Sequence, residues 1–181
     1  LGSWGRRSRA MAEFEPAYKV VKRHEGGYAN HSADRGKETY KGISRKNWPG
    51  WSGWEIVDAL KQKSGFPNTL DSNERLQVLV SGVYRKNFWS AWYEDMPQEL
   101  ATWVFDKAVL MGSRTAHKIL QRALGVEDDG VIGYHTMNAI GKADISSLLA
   151  KCRAAYIDYV EGIVEEDPTQ AVFLKGWKAR A

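Results

Sequence analysis

Apolar residues recur at helical spacing through most of this chain, and the first such stretch leads into a pair of glycines. This stretch places Phe14, Ala17, Tyr18, Val21 and Glu25 at helical spacing, with Glu25 following the four apolar residues. Because glycine takes positive φ readily, Gly26 and Gly27 are expected to end this helix, which places Glu25 in its last turn.

Further helical stretches follow, each bounded by capping or breaking residues. The first begins at the capping-box pattern Ser52–Glu55, and the second begins at Asp71–Glu74 and has an apolar face that continues to Pro97. A central helix runs from Leu100 to Gly112. Four more helices are expected over 116–124, after Gly133, over 145–164 and after Pro168. Strand signal is confined to about residues 28–43, with a polar turn over 34–38 and a short strand over 39–43. The pattern predicts an α+β, mostly helical fold with a small β-hairpin beside the first helix.

Two carboxylates and a hydroxyl, Glu25, Asp34 and Thr39, fall within this helix-to-hairpin stretch. Cleavage of a glycosidic bond requires a protonated carboxylic acid for the leaving oxygen and a second group that activates water or stabilises the sugar cation. A helix C-terminus and burial in a cleft would both raise the pKa of Glu25, as a general acid requires. Each residue also has a structural interpretation: Glu25 as an exposed helix-end residue, Asp34 as a turn cap and Thr39 as a β-favouring residue.

The motifs of the chain, taken in order, resemble glycoside hydrolase family 108, whose members are lysozyme-like N-acetylmuramidases and include secretion activator proteins and phage endolysins. The resemblance covers roughly residues 13–180. It rests on Glu25–Tyr28 with Asp34, Gly36 and Thr39–Ser44, and continues through Phe105–Val109, Leu120–Gly125, Asp129–Gly133 and Phe173–Trp177. Lys37 and Val109–Gly112 depart from the common family pattern, which bears on substrate preference more than on activity.

The resemblance implies a lysozyme-like catalytic domain over residues 11–181, with a peptidoglycan-binding-like segment over 113–141 packed within it. It places the family's catalytic Glu on Glu25, and the likeness to phage-type lysozymes places Asp34 and Thr39 near the attacking water. Tyr28, Tyr40 and Lys37 are expected to contact substrate. The implied reaction is cleavage of the β-1,4 bond between N-acetylmuramic acid and N-acetylglucosamine, without a cofactor or metal. The alternative is a lysozyme-like protein that binds glycan strands without cutting them.

Net charge, apolar run lengths and cysteine content indicate which kinds of molecule this protein binds. The net charge of +4 favours anionic polymers, which for this family means the peptidoglycan carboxylates, and no nucleic-acid-binding motif is present. No stretch approaches the roughly 20 apolar residues of a membrane span. The single Cys152 excludes an internal disulfide and is expected to be a buried, inert thiol. We therefore expect a monomer whose partner is peptidoglycan.

Three further features complete the sequence-based expectations. The four histidines lack metal-ligand spacing. Of Trp48, Trp51 and Trp54, most are expected in the core, although an exposed tryptophan can stack on a sugar ring. Residues 1–10 resemble a cloning remnant or disordered leader before a natural start at Met11, and they lack the apolar core of a signal peptide. Such a protein is made in the cytoplasm and reaches the cell wall through a holin, a secretion system or lysis.

Overall fold

The computed structural model describes residues 12–30 and 38–181, which form eight α-helices and a three-stranded antiparallel sheet. The helices are α1 Phe14–Val21, α2 Gly53–Lys61, α3 Glu74–Phe88, α4 Gln98–Met111, α5 Ser113–Leu124, α6 Tyr134–Lys142, α7 Ile145–Glu166 and α8 Ala171–Ala179. The strands are β1 Tyr28–Asn30, β2 Glu38–Tyr40 and β3 Ile43–Ser44, and short 3-10 helices span Asn68–Leu70, Ala91–Asp95 and Pro168–Gln170. This architecture confirms the predicted α+β, mostly helical class.

The chain divides into two compact units. One unit spans Phe14–Trp89, and the other combines Ala12 and Glu13 with Ser90–Ala181. The segment 113–141 belongs to the second unit, together with α4 and α7. The expected single catalytic domain over 11–181 stays a prediction.

The first unit holds α1, the sheet, α2 and α3. Strand β2 is central, with Thr39 opposite Ala29 on one side and Ser44 on the other. The core of this unit is built from one face of each helix and from the sheet, and it contains Phe14, Ala17, Tyr18, Val21, Tyr40, Ile43, Trp54, Val57, Leu76, Val80 and Tyr84.

The second unit is a helical bundle in which α5 packs against α4 and α7. The central helix α4 buries residues on more than one face, and Gly112 ends it with a φ of 90°, as predicted. Gly125 ends α5 in the left-handed conformation, which was also expected. Cys152 on α7 is buried, and burial raises the pKa of its thiol to about 12, which fits the expected inert thiol.

One predicted cap and one predicted helix end are wrong, although α2 itself begins directly after Ser52 as expected. Ser52 has helical backbone angles and its side chain forms no capping hydrogen bond, so the capping-box pattern does not operate at α2. Helix α3 begins as predicted, where the Asn73 side chain accepts from the Leu76 amide at 2.8 Å, but it ends at Phe88 rather than near Pro97. Trp89 is extended, and the apolar residues beyond it belong to a separate 3-10 helix over Ala91–Asp95.

Among the described residues, none of the helices combines the length and the apolar composition needed to cross a bilayer.

Candidate active site

Glu25 follows α1 rather than lying within it. The helix ends at Val21, and the next residues form tightened turns in which the Arg23 and His24 amides donate to carbonyls three residues back. Neither Gly26 nor Gly27 has a positive φ, so the expected glycine stop is wrong. The helix ends before the glycines, and Glu25 lies in a bend beyond its last turn.

The carboxylate of Glu25 is half-buried against a tight turn of the sheet. Lys41 and Gly42 connect β2 to β3 as a two-residue hairpin loop, with φ values of 45° and 79°. Positive φ at both positions is the signature of a type I′ turn, which the sequence interpretation had taken for continuous strand. A Cβ on Gly42 would overlap the Glu25 Oε2 atom and would lie 2.7 Å from the Tyr84 hydroxyl. Glycine at this position therefore leaves the space that the carboxylate occupies.

Helix α3 holds this turn through two of its side chains. The buried Tyr84 hydroxyl donates to the Lys41 carbonyl at 2.5 Å, and the Lys41 ammonium donates to Gln77 Oε1 at 2.6 Å. The ammonium also lies 3.4 Å from Asp71. Lys41 is thus held at both backbone and side chain in a conformation that non-glycine residues seldom adopt. The turn beside Glu25 is therefore rigidly supported.

Aromatic rings surround this corner of the first unit. Tyr18 stacks on Phe14 with centroids 5.4 Å apart and meets Tyr84 at 5.6 Å. Burial, with smaller contributions from the charges of Glu15 and Glu25, raises the pKa of Tyr18 to about 12. Tyr18 is therefore a neutral phenol near Glu25 throughout the physiological range.

Tyr40 is buried and uses its hydroxyl internally. The hydroxyl donates to Asp71 at 2.8 Å and accepts from Gln77 Nε2 at 3.0 Å. Burial is the main reason that the pKa of Tyr40 is raised. In this structure Tyr40 supports the Lys41–Gly42 turn, and its contact with substrate stays a prediction.

Glu38 is a buried carboxylate that the sequence interpretation placed in a polar turn. It accepts from the Tyr28 hydroxyl at 2.8 Å and from Arg45 at 2.7 Å, and it forms an ion pair with Lys61 of α2. Burial raises the pKa of Glu38, but the hydrogen bonds from Lys61, Arg45 and Tyr28 outweigh it and leave the pKa below its usual value. Glu38 is therefore an ionised anchor between β2 and α2, and its three partners leave it unsuited to abstract a proton.

The other predicted site residues have the following positions. Thr39 is half-buried in the middle of β2, and its side chain projects to the face opposite Glu38 and Tyr40 because strand residues alternate. Tyr28 is half-buried, with its ring 4.8 Å from Phe66 in an edge contact. Asp34 and Lys37 lie outside the described residues.

Sequence reasoning missed the residues that support the site, namely Tyr84, Gln77, Gly42 and Glu38. The only local signal was a two-residue Lys-Gly connection between apolar Tyr40 and Ile43, which is compatible with a hairpin turn. Within the described ranges, no group of three or more His, Cys, Asp or Glu side chains is placed to hold a metal ion.

The second unit carries a buried ionic cluster within the Phe105–Val109 motif. Asp106 accepts from Lys107 at 2.8 Å and from Arg180 at 2.6 Å. Burial alone would raise the pKa of Asp106, but its two cationic partners lower it. Because Arg180 directly follows α8, this cluster joins the C-terminus to α4.

The loop after α5 is organised by the buried Gln121. Its Nε2 donates to Asp129 at 2.9 Å and to the Val131 carbonyl at 2.9 Å, and its Oε1 accepts from the Gly130 amide at 2.8 Å. His117 adds a second support, since its ring bridges the Tyr93 hydroxyl at 2.6 Å and the Gly130 carbonyl at 3.1 Å. These contacts give the 120–133 motifs a structural role in the second unit.

Comparison with known proteins assigns different families to the two parts of the chain. The family model described as Glycosyl hydrolase 108 matches residues 18–112, slightly more than half of the chain. A second model, described as Predicted Peptidoglycan domain, matches residues 115–181. Among solved structures, the chain is similar to SagA of Brucella abortus, with 27% identity and a TM-score of 0.64 over 92% of this chain and 88% of that chain. None of the curated proteins matches this chain.

Proposed function

The chain belongs to the glycosyl hydrolase 108 family, and from this premise we propose that it is an N-acetylmuramidase with Glu25 as its general acid. As a lysozyme-like glycoside hydrolase carrying a peptidoglycan-type region, it acts on the bacterial cell wall. The proposed bond is the β-1,4 linkage from N-acetylmuramic acid to N-acetylglucosamine.

The placement of the Glu25 carboxylate carries this proposal. The group is half-buried, is seated against the backbone of the Lys41–Gly42 turn and lies near the Tyr84 hydroxyl. A general acid must be held within reach of the leaving oxygen by rigid supports, and the α3 contacts to the turn supply such supports. Nearby Tyr18 is a neutral phenol at physiological pH, as tyrosine ordinarily is, and burial raises its pKa further, so it adds no charge beside Glu25.

In this proposal, Asp34 and Thr39 activate and orient the attacking water. Asp34 takes a proton from a water molecule, Thr39 orients that water, and the water attacks the anomeric carbon on the face opposite the leaving group. The role of Thr39 in orienting water is supported by its half-buried position on the central strand, where the residue is held in place by strand pairing but is not fully enclosed. Glu38, the nearest carboxylate in sequence to Thr39, is already engaged by three donors, which leaves Asp34 for the role. The product then has inverted anomeric configuration.

Two analyses of one digest test the bond and the stereochemistry. Borohydride reduction of muropeptides released from purified walls should yield reduced N-acetylmuramic acid at the new ends, as followed by mass spectrometry. Reduced N-acetylglucosamine would instead identify a glucosaminidase. NMR of the first product from a soluble glycan fragment should show the α anomer, and a β anomer would overturn inversion.

The same preparation tests the remaining expectations. Intact walls after prolonged incubation, despite sedimentation of the protein with them, would favour the non-catalytic binding protein. Light scattering should give the mass of one chain, as expected for a monomer. DNA binding that falls steeply with salt would instead indicate a nucleic-acid partner for this basic chain.

A further inference from the structure

The first unit contains an open groove whose lining includes neither Gly42 nor Tyr84, the two residues described beside the Glu25 carboxylate. The groove has a volume of about 630 Å³ and lies between the loop after β3 and helix α3. Trp48 and Trp51 line the loop side, and Val78, Gly82 and Lys86 line the helix side at intervals of four residues. Gln77 and Tyr84, which support the Lys41–Gly42 turn, lie on a different face of α3. We call this cavity the tryptophan groove.

The tryptophan side of the groove is held in place by contacts within the protein. The Trp48 amide donates to the Ser44 carbonyl at 2.9 Å, and the Trp48 carbonyl accepts from Trp54 Nε1 at 2.8 Å. The Trp51 ring meets the buried Trp54 ring edge-on at 5.3 Å. A side chain on Gly53 would overlap the Trp51 ring, so the sequence leaves room for this ring position. Trp48 and Trp51 are both half-buried, so each presents part of its surface to the groove in a fixed orientation.

The helix side of the groove has a feature that packing does not explain. Gly82 lies in the interior of α3, where glycine is less favourable than alanine. A Cβ at this position would meet no atom within 4 Å, so no neighbour excludes a side chain. One turn earlier, Val78 is 68% exposed and contributes an apolar patch to the same wall. Because Gly82 has no side chain, the groove stays open at this point, although glycine makes the helix less stable than alanine would.

The polar residues of the lining indicate the chemistry of a ligand. Asn47 and Asn87 contribute amides, Lys86 contributes the single charge of the lining, and no carboxylate is present among the described residues that line the groove. Flat aromatic surfaces bind the C–H faces of pyranose rings, and amides bind hydroxyl and N-acetyl groups. A lone cation complements the carboxylates of lactyl groups and peptide stems.

We propose that the tryptophan groove is a second binding site for peptidoglycan glycan on the catalytic unit. It would hold a segment of strand on Trp48 and Trp51, with Lys86 facing an acidic substituent. The proposal rests on the proposed function, because that function supplies a glycan carrying carboxylates. An apolar protein segment and a second copy of this chain are the competing occupants, and the experiment below separates them.

The test measures binding directly at the groove in the full chain carrying Glu25→Gln. The indole N–H signals of Trp48 and Trp51, assigned with single Trp→Phe variants, are followed by NMR during two titrations. One ligand is chitohexaose, which is neutral, and the other is a soluble peptidoglycan fragment with peptide stems. Both ligands should shift both signals saturably. Indole signals that do not move with either ligand would overturn the proposal.

Three variants in the Glu25→Gln background test the contribution of individual lining residues to binding. Gly82→Gln fills the groove and should weaken binding at the indoles by about tenfold or more, and Trp48→Ala should act similarly. Lys86→Gln should weaken binding of the acidic fragment while leaving chitohexaose unchanged. The matched control is Gly162→Gln, since Gly162 is also in a helix interior with no atom within 4 Å of its Cβ position. Both glycine variants should melt at or above the parent temperature, and only Gly82→Gln should lose binding.

The outcomes separate this proposal from the proposed function. Unchanged affinity in both Gly82→Gln and Trp48→Ala overturns the groove, whatever happens to catalysis. Wall lysis by the Glu25→Gln chain overturns the catalytic assignment, while the indole titrations with uncut chitohexaose still report on the groove. A concentration-dependent dimer that Gly82→Gln abolishes would assign the groove to a second copy and overturn the glycan proposal. Saturable displacement of the sugar by an apolar helical peptide would overturn it in favour of a protein segment.

Discussion

The Glu25 carboxylate occupies the space that a side chain on Gly42 would need. The two residues are 17 positions apart in sequence, and a Cβ on Gly42 would overlap Glu25 Oε2. This single relationship links the segment after α1 to the β2–β3 turn and positions the proposed acid. It also makes the assignment testable from both sides of the contact.

Glu25→Gln should abolish most of the activity while leaving the protein folded. The amide keeps the shape of the side chain but cannot donate a proton, so the rate of wall lysis should fall by about 10²–10⁴-fold or more. Glu15→Gln is the matched control, because Glu15 is an exposed carboxylate on α1 whose charge also acts on Tyr18. Near-parental lysis by a folded Glu25→Gln protein would refute the assignment.

Gly42→Ala should reduce activity more than its effect on stability explains. The new methyl group displaces the Glu25 carboxylate, and alanine at a φ of 79° adds strain of about 1–2 kcal/mol. Gly125→Ala separates the two effects, since Gly125 has a φ of 71° and no atom within 4 Å of its Cβ position. Gly42→Ala should lose at least as much stability in urea denaturation as Gly125→Ala, because the overlap with Glu25 adds to the strain. Equal activities for the two variants would contradict the proposed crowding of Glu25.

Tyr84→Phe should lower kcat with a smaller effect on KM. The change removes the hydroxyl that holds the Lys41 carbonyl, and the loss of one such hydrogen bond costs about 1 kcal/mol of stability. Tyr156→Phe removes an equivalent bond, from a buried tyrosine to the Trp177 carbonyl at 2.8 Å in the second unit. Steady-state kinetics on a soluble glycan fragment should show a loss only for Tyr84→Phe, whereas equal kcat values would leave Tyr84 without a positioning role.

His117 should make the second unit less stable as the pH falls below neutrality. Burial lowers the pKa of His117 in the folded state, although its bond to the Gly130 carbonyl opposes this. The unfolded state therefore takes up a proton first, near the ordinary histidine pKa of about 6.5. The free energy of unfolding should decline as pH falls from about 6.5 towards the depressed pKa, and it should level off below that value.

The pH dependence is checked by urea unfolding at a series of pH values. His117→Gln should flatten the slope below a pH of about 6.5, at the cost of some stability at neutral pH because the Tyr93 and Gly130 bonds change. His135→Gln is the control, because His135 is exposed. A slope that is the same in the parent and in His117→Gln would assign the pH dependence to other groups.

A fragment beginning at Ser113 should fold poorly and should not bind walls tightly. It lacks α4, which packs against α5 and supplies Asp106 for the ion pair with Arg180. Without α4, Arg180 would lose its carboxylate partner, and the buried apolar face of α5 would be exposed to water. A fragment beginning at Ser90 retains α4 and is the matched comparison. A cooperative thermal melt of the Ser113 fragment, together with sedimentation with peptidoglycan, would contradict this prediction.

Local sequence patterns predicted the elements best where one face of a helix is buried and a glycine follows it. Gly112 and Gly125 end α4 and α5 as expected, because positive φ at those positions costs glycine little. The same logic failed at Gly26 and Gly27, neither of which has a positive φ, and at Ser52, which forms no cap. In those places several local conformations are close in energy, so contacts from distant residues determine the outcome.

The sequence by itself determined the helical, α+β character of this protein, its match to a glycoside hydrolase family and the candidacy of Glu25. Those properties follow from periodicity and from ordered motifs, which are local in the chain. Only the tertiary structure placed Glu25 against Gly42, the Tyr84 hydroxyl on the Lys41 carbonyl and the paired carboxylate of Glu38 in the interior. These contacts join residues from separate elements. The identity of a residue does not specify which distant residue will form its hydrogen bonds or pack against it, so such contacts are fixed only when the chain folds.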